Sequence, residues 1–515
     1  MRSKFFRKLS CLFLAAGICL ACAQPSEAIE FKAKGVWLAS FQYGQHGNFS
    51  GKGTGYDPSE DEFEARSRVR IILDAVASEN LSGQVYFEIG KAIWGKATNG
   101  QNGMALGGDQ NIVKVKRAYI DWMVPNTALK LRMGLQGIGL PYMAMDGPTV
   151  FQSDVAAITA SYTFNPNVSV TAFWARPYND NYTGNSASSP YANYMDNMDM
   201  AGLVIPLRFD GFRLTPWGMF AAIGPNVYRN GDNYFGQTIN GVNGHYTRSG
   251  LLSLAANSAA NEGRVIRGLD QYATAWWGGL SGEITYWDPF RVAWDFMYGS
   301  VSYDDSALDR QGWLAALLLE YKLDWVTLGL YGWYASGDDA NMGNGSERLP
   351  TVSNDYGVAS FSGTFIGPDI NGLERDRIIG NNLNGTWGVG FRLKNMSFLE
   401  DLKHTFHISL MGGTNDPGVL REYQRETGEW MSPNKMGGQT TDTVGRENMY
   451  LTTRDYAMEV GLLNQYQIYE NLAVNVEASY VAMWLDKSDD VWGHALEGQE
   501  INDAWNVSVL FIYSF

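Results

Sequence analysis

The chain has 515 residues, 39 Lys and Arg against 54 Asp and Glu for a formal charge of −15, three cysteines and 58 glycines. Charged residues at 18% are too sparse for an acidic disordered chain, and the acidic balance argues against a nucleic-acid partner. Three cysteines, all within the first 22 residues and their single CxxC (Cys19-Leu-Ala-Cys22) at the end of an apolar run, exclude a disulfide scaffold.

The first element is an address. Arg2, Lys4, Arg7 and Lys8 precede an apolar run from Leu9 to Ala21, and Ser26-Glu27-Ala28 offers small residues for cleavage. The run is shorter than the ~20 residues that a spanning helix needs. Residues 1–28 therefore read as a cleaved signal peptide, leaving 29–515 as one domain. That segment holds all three cysteines, four basic residues and one acid, so the mature chain carries a charge of about −18 and no thiol. Export in a Gram-negative cell follows.

Beyond it no apolar stretch reaches 18 residues, and period-2 alternation recurs instead. Segments start near residues 30, 62, 83, 112, 129, 154, 168, 196, 211, 269, 290, 311, 325, 384, 402, 452, 471 and 502. The last is the clearest, with Trp505, Val507, Val509, Phe511, Tyr513 and Phe515 on one face and Asn506, Ser508 and Ser514 on the other. Links alternate between short turns, such as Asn165-Pro166-Asn167 and Asp210-Gly211, and long polar stretches, such as Gly224–Gly268, Ser336–Asn382 and Gly413–Tyr450. Aromatic residues (Trp122, Tyr286, Trp287, Tyr480, Trp484) gather at segment ends. Short turns on one rim, long loops on the other and aromatic girdles predict an all-β transmembrane antiparallel barrel of about 18 strands, or 16 if the weak segments near 384 and 402 are loops.

Charges then mark the lumen. In the second segment Arg66, Arg68 and Arg70 share one face; in the fourth, Arg117, Tyr119 and Asp121; in the fifth, Lys130 and Arg132 with Gln136. Three arginines on one strand face need water and counter-charges, so one wall is expected to be a basic ladder along a pore. The third long link, Gly137–Ser153, is unusually apolar and punctuated by Gly139, Pro141, Gly147 and Pro148. It is expected to fold inward and narrow the lumen, with Asp146 facing the basic wall.

Three further patterns lead nowhere catalytic. His404 and His407, three apart on a strand, point to opposite faces and cannot share a metal. Asp338, Asp339, Asn341 and Asn344 lack the spacing and closing Glu of a calcium loop. No GxSxG, HExxH or GxxxxGK[ST] motif occurs, so neither an enzyme nor a cofactor is expected.

The mature start Ile29-Glu-Phe-Lys-Ala-Lys-Gly-Val-Trp37, Lys116-Arg-Ala-Tyr-Ile-Asp-Trp122, Leu131-Arg-Met-Gly-Leu-Gln136, Tyr334-Ala-Ser-Gly-Asp-Asp339 with Asn344-Gly-Ser-Glu-Arg348, and the terminal Phe515 carry a resemblance over the whole mature chain. It resembles the Gram-negative general porins, most of all the homotrimeric outer-membrane porins of sulfate-reducing bacteria. The resemblance implies a homotrimer in outer-membrane lipid and lipopolysaccharide, passive diffusion of small hydrophilic solutes and ions, and an inward third loop. The alternative is a substrate-selective porin for sugars or small organic acids. Phe511, Tyr513 and Phe515 resemble the sorting signal that the barrel-assembly machinery reads.

Overall fold

The computed structural model describes residues 29–45, 63–97, 103–107, 111–145, 147–179, 195, 197–227, 238–239, 242–243, 250–256, 269–354, 383–428, 430–431, 433, 450–497 and 501–515. The predicted signal peptide and Asp146 lie outside them.

The alternating segments form strands β1 (Glu30–Gln45), β2 (Glu64–Ser78), β3 (Leu81–Trp94), β4 (Val113–Met123), β5 (Leu129–Gly139), β6 (Phe151–Asn165), β7 (Val168–Asn179), β8 (Asn197–Val204, continued by Leu207–Phe209) and β9 (Phe212–Ile223). They continue as β10 (Ala273–Ile284), β11 (Phe290–Ser302), β12 (Arg310–Lys322), β13 (Thr327–Ala335), β14 (Thr386–Leu399), β15 (Leu402–Gly413), β16 (Tyr456–Tyr469), β17 (Leu472–Trp484) and β18 (Ala504–Ser514). Each pairs antiparallel with its neighbours, and β18 closes on β1 from Val36↔Ser514 to Gln45↔Trp505, giving a closed barrel of 18 strands. The segments near 384 and 402 are β14 and β15, paired on both sides, which removes the 16-strand option. Ile205-Pro206 interrupts β8 because proline has no N–H for the ladder, yet the Pro206 carbonyl still accepts from Ser169 at 3.3 Å.

The outer surface is apolar. Leu330 is 58% exposed, Val389 53% and Phe220 48%, an array that water would not tolerate and hydrocarbon requires. Rings cluster at both ends of this band: Phe164, Phe209, Tyr286, Trp287 and Trp325 towards the short turns, and Trp276, Trp313, Tyr334 and Trp484 towards the long loops, all exposed. Single-chain antiparallel barrels with such a belt reside in the Gram-negative outer membrane, and this one spans it.

Inside, the two sides of the barrel differ. Along β9–β13 the inward residues Trp217, Trp277, Leu314, Leu318 and Trp333 are buried, covered by segments of the long loops. Trp277 donates to the Pro350 carbonyl at 2.8 Å, and Arg310 donates to the Arg348 and Leu349 carbonyls at 3.2 and 3.1 Å. The core of the molecule is therefore a cap of loops seated within the long-loop end. The link after β15, expected as loop, contains helix α1 (Gly418–Thr427); Asp416, two residues before it, accepts from the Gly418 amide at 2.7 Å. Val419, Leu420 and Tyr423 bury its inner stripe, and Gly428 ends it at φ 77°.

At the closing seam, Gly35 and Phe515 exchange both backbone hydrogen bonds, at 2.8 and 3.0 Å. Phe511 packs edge-on against Phe41 at 6.4 Å, and Tyr513 stacks on Phe515 at 5.8 Å. The three aromatic residues of the expected sorting signal thus form an outward strip beside the last strand pair to close.

Candidate pore constriction

The charged inner face is built by β2–β6. Even-numbered residues of β2 point inward, and the expected ladder is there, but carboxylates of neighbouring strands are threaded through it. Arg66 bonds Glu64 at 2.9 Å, and Arg70 bonds Glu88 of β3 at 2.7 Å. Arg68 is only 3% exposed and does not line open water. Arg132 forks onto Asp121 at 2.6 and 2.8 Å while Lys130 reaches the same carboxylate at 2.9 Å. Tyr119 lies under the Arg132 guanidinium at 4.0 Å and donates to Gln84 at 2.8 Å; Gln84 in turn donates to Asp74 at 2.7 Å. The wall expected to be basic is an alternation of cations and carboxylates with cations in excess. A row of bare arginines would repel itself at these separations, and the intervening acids remove that cost.

A β-bulge concentrates the excess. Tyr86 pairs with Arg117 but Phe87 pairs with Val115, so Lys116 is the extra residue of β4 and joins Arg117 at the inner face. Arg117 bonds Asp154 at 2.6 Å, and Lys116 lies 3.3 Å from Asp154 and 4.0 Å from Glu88. Gly137 makes room for this: a Cβ there would sit 2.6 Å from an Arg117 terminal nitrogen. Arg70 and Arg117 both stand over the Tyr86 ring, at 5.9 and 5.5 Å. Lys116, Glu88 and Asp154 were not singled out from the sequence. Strict alternation puts Lys116 on the outer face, and only the bulge, which depends on pairing with β3, turns it inward.

The third loop folds inward as its apolar composition implied. Leu140, Ala144, Met145 and Val150 are buried, and the loop reaches across to β10 and β11. Ser281 donates to the Pro141 carbonyl at 3.1 Å and Arg291 to the Met143 carbonyl at 3.0 Å. The buried Asp295 carboxylate accepts from the Met143, Ala144 and Met145 amides at 2.8–3.0 Å. Arg291 belongs to a second ion network, bonding Glu283 at 2.8 Å and Glu320 at 2.6 Å, with Arg392 on Glu320 at 2.7 Å. Asp146, expected to oppose the basic wall, lies outside the described residues.

Between loop and wall lies a recess of about 310 Å³ lined by Arg70, Tyr86, Lys116, Arg117 and Asp154 on the strands and Leu140, Tyr142 and Pro148 on the loop. The lining sets three cations and the Tyr86 and Tyr142 rings around Asp154, and guanidinium and ammonium N–H groups so grouped can replace hydration water around carboxylate or phosphate oxygens.

The other polar clusters serve structure. His404 bonds Asn464 at 2.6 Å on the outer side, while His407 faces inward 3.7 Å from Glu459, so the two point apart as expected. Asp338 accepts from Ser346 at 2.5 Å and Tyr450 at 2.7 Å, and Asp339 accepts from the Asn341 amide at 2.7 Å. These acids tie the loop cap together. Among the described residues no group of three or more His, Cys, Asp or Glu is placed to hold a metal.

No protein-family model matches the chain, and no curated protein matches it. Among solved structures it is similar to OprD of Pseudomonas aeruginosa, at 10% identity over 95% of this chain and 97% of that chain, with a TM-score of 0.49. OpdK of the same organism, solved with vanillate, has 10% identity over 94% and 98%, with a TM-score of 0.48. OccAB3 of Acinetobacter baumannii has 9% identity over 94% and 99%, with a TM-score of 0.49.

Proposed function

We propose that the protein is an outer-membrane porin whose water-filled path selects small organic anions, carboxylates foremost, over neutral solutes of the same size. This is the substrate-selective alternative rather than unspecific diffusion. The observation that carries it is the recess, where Arg70, Lys116 and Arg117 crowd one side and the third loop closes the other. A sieve working by size alone needs no such convergence of cations beside the inward loop. The homotrimer implied by the resemblance to porins of sulfate-reducing bacteria rests on that resemblance, and native mass measurement in detergent reads it directly.

Reconstitution in planar bilayers tests the reading. Ohmic steps are expected, with a reversal potential in a salt gradient on the anion side and block by millimolar small carboxylic acids but not by neutral sugars of equal size. Sugars blocking as well as acids, or no channels at all, would overturn it.

A further inference from the structure

The hydrogen bonds that reach the third loop from β10 and β11 run to its backbone. Three consecutive amides, Met143, Ala144 and Met145, converge on one carboxylate that is 1% exposed and stands 150 residues further along the chain. The two carbonyls beside them accept from Ser281 and Arg291. Together with the buried side chains of Leu140, Met145 and Val150, these ties fix the loop to the barrel wall, and Tyr142, 41% exposed, is carried by that wall to the edge of the recess.

From this geometry we infer that Asp295 of β11 is the positioning residue that sets the width of the channel, and hence the largest anion it admits. The inference rests on the channel reading above. One carboxylate oxygen accepts from all three amides and the other from Met143 as well; an amide of the same shape turns an NH2 group against the Met143 N–H or, flipped, against all three. Asp295→Asn therefore keeps the volume and removes the latch. The loop is then released from β11 while Arg70, Lys116 and Arg117 stay on the opposite wall.

The test uses the full-length protein in planar bilayers and liposomes. Asp295→Asn is expected to raise unit conductance and to admit larger organic acids in liposome swelling, with the anion-side reversal potential kept. A residue that merely supported folding would lower the number of channels without enlarging each. All three cysteines lie within residues 1–28, the expected signal peptide, so in the protein expressed from residue 29 the double variant Ala144→Cys, Asp295→Cys gives a reversible form of the same experiment. Oxidised, it should conduct like the wild type; on reduction it should open to the level of Asp295→Asn. Wild-type conductance and size limit in Asp295→Asn, or no response of the double variant to reduction, would overturn the proposal. Hydrogen exchange at the Met143–Met145 amides is independent of conduction: faster exchange in Asp295→Asn supports the latch and unchanged exchange refutes it. If the wild-type protein forms no channels, the channel reading fails by itself, and exchange still decides whether Asp295 holds the loop.

Discussion

The barrel has two inner walls made of the same kind of strand. Along β2–β6 the inward positions carry Arg, Lys, Glu and Asp, and the third loop stands off them to leave a recess. Along β9–β13 most inward positions towards the long loops carry Trp, Leu, Met and Ala, and loops pack directly onto them, while Glu283, Arg291 and Glu320 form their own ion network towards the short turns. The outward faces of both halves are equally apolar. Only the inward face decides whether a stretch of wall borders water or becomes part of a core: charges that stay hydrated exclude the loops, and large apolar side chains draw them in.

The sharpest way to break this contrast is to neutralise the charged wall at its most crowded point. In Arg70→Gln, Lys116→Gln, Arg117→Gln, the carboxylates of Glu88 and Asp154 remain without the cations that now balance them. The reversal potential in a salt gradient should swing from the anion side to the cation side. A swing of no more than a few millivolts would show that permeating ions do not pass the recess.

The packed wall should respond through stability instead. Asp455, wholly buried just before β16, accepts from the Thr452 amide and hydroxyl, both at 2.7 Å, and from the Asp486 amide and the Trp492 indole, both at 2.8 Å. Asp455→Ala leaves these donors without their acceptor, at a cost of about 3 kcal/mol to the loop cap. Faster proteolysis of residues 484–497 with unchanged ion selectivity is the expected outcome. A selectivity change of the same size as in the triple variant would mean that the two walls are not separable.

The two halves were unequally legible in the sequence. Strand positions were readable in both, because period-2 alternation survives whatever lies inside the barrel. The inward third loop was readable from Leu140, Met143 and Met145, apolar residues that a solvated loop does not need. The packed half left a signal too: Trp313-Leu-Ala-Ala-Leu-Leu-Leu319 of β12 is apolar at every position, as a strand with loops packed on its inner face and hydrocarbon on its outer face must be. Helix α1 was marked by Asp416-Pro417 before it and Gly428 after it, with Val419, Leu420 and Tyr423 at helical spacing. What no local pattern contained was the pairing of distant charges. The partners of Met143 and Arg117 lie 152 and 37 residues away, and the inward turn of Lys116 depends on a register shift against β3.

The charged wall also has a backbone requirement of its own. Gly134 of β5 adopts φ +130°, and a Cβ there would sit 2.4 Å from the Ala118 carbonyl and 2.8 Å from the Tyr119 Cα. The absence of a side chain lets Tyr119 approach and lie beneath Arg132. Gly134→Ala should cost about 1–3 kcal/mol, read as a lower urea midpoint for unfolding from detergent. Unchanged stability would show that β4 and β5 can part at this point without loss.

The smallest expected effect concerns pH and the loop cap alone. Burial pushes the carboxyl of Asp455 up, and burial beside Asp338 and Asp339 does the same for Glu347. A carboxyl raised in the folded state contributes stability that is complete below its ordinary range, ~4, and is lost as pH rises through its folded value. Asp486 has the opposite sign: the Ser488 amide foremost, helped by Arg454, holds it low, so its contribution is present above the ordinary range and disappears as pH falls through the depressed value. Hydrogen exchange in residues 450–456 and 484–497, corrected for intrinsic rates, should therefore slow from neutral pH down towards the ordinary carboxylate range and quicken again in stronger acid. Asp455→Asn should flatten the first limb and Asp486→Asn the second, while the recess between Arg70 and Tyr142 stays out of both. If acid altered the recess in step with the cap, the two walls would be one mechanical unit, and the contrast between them would describe composition but not behaviour.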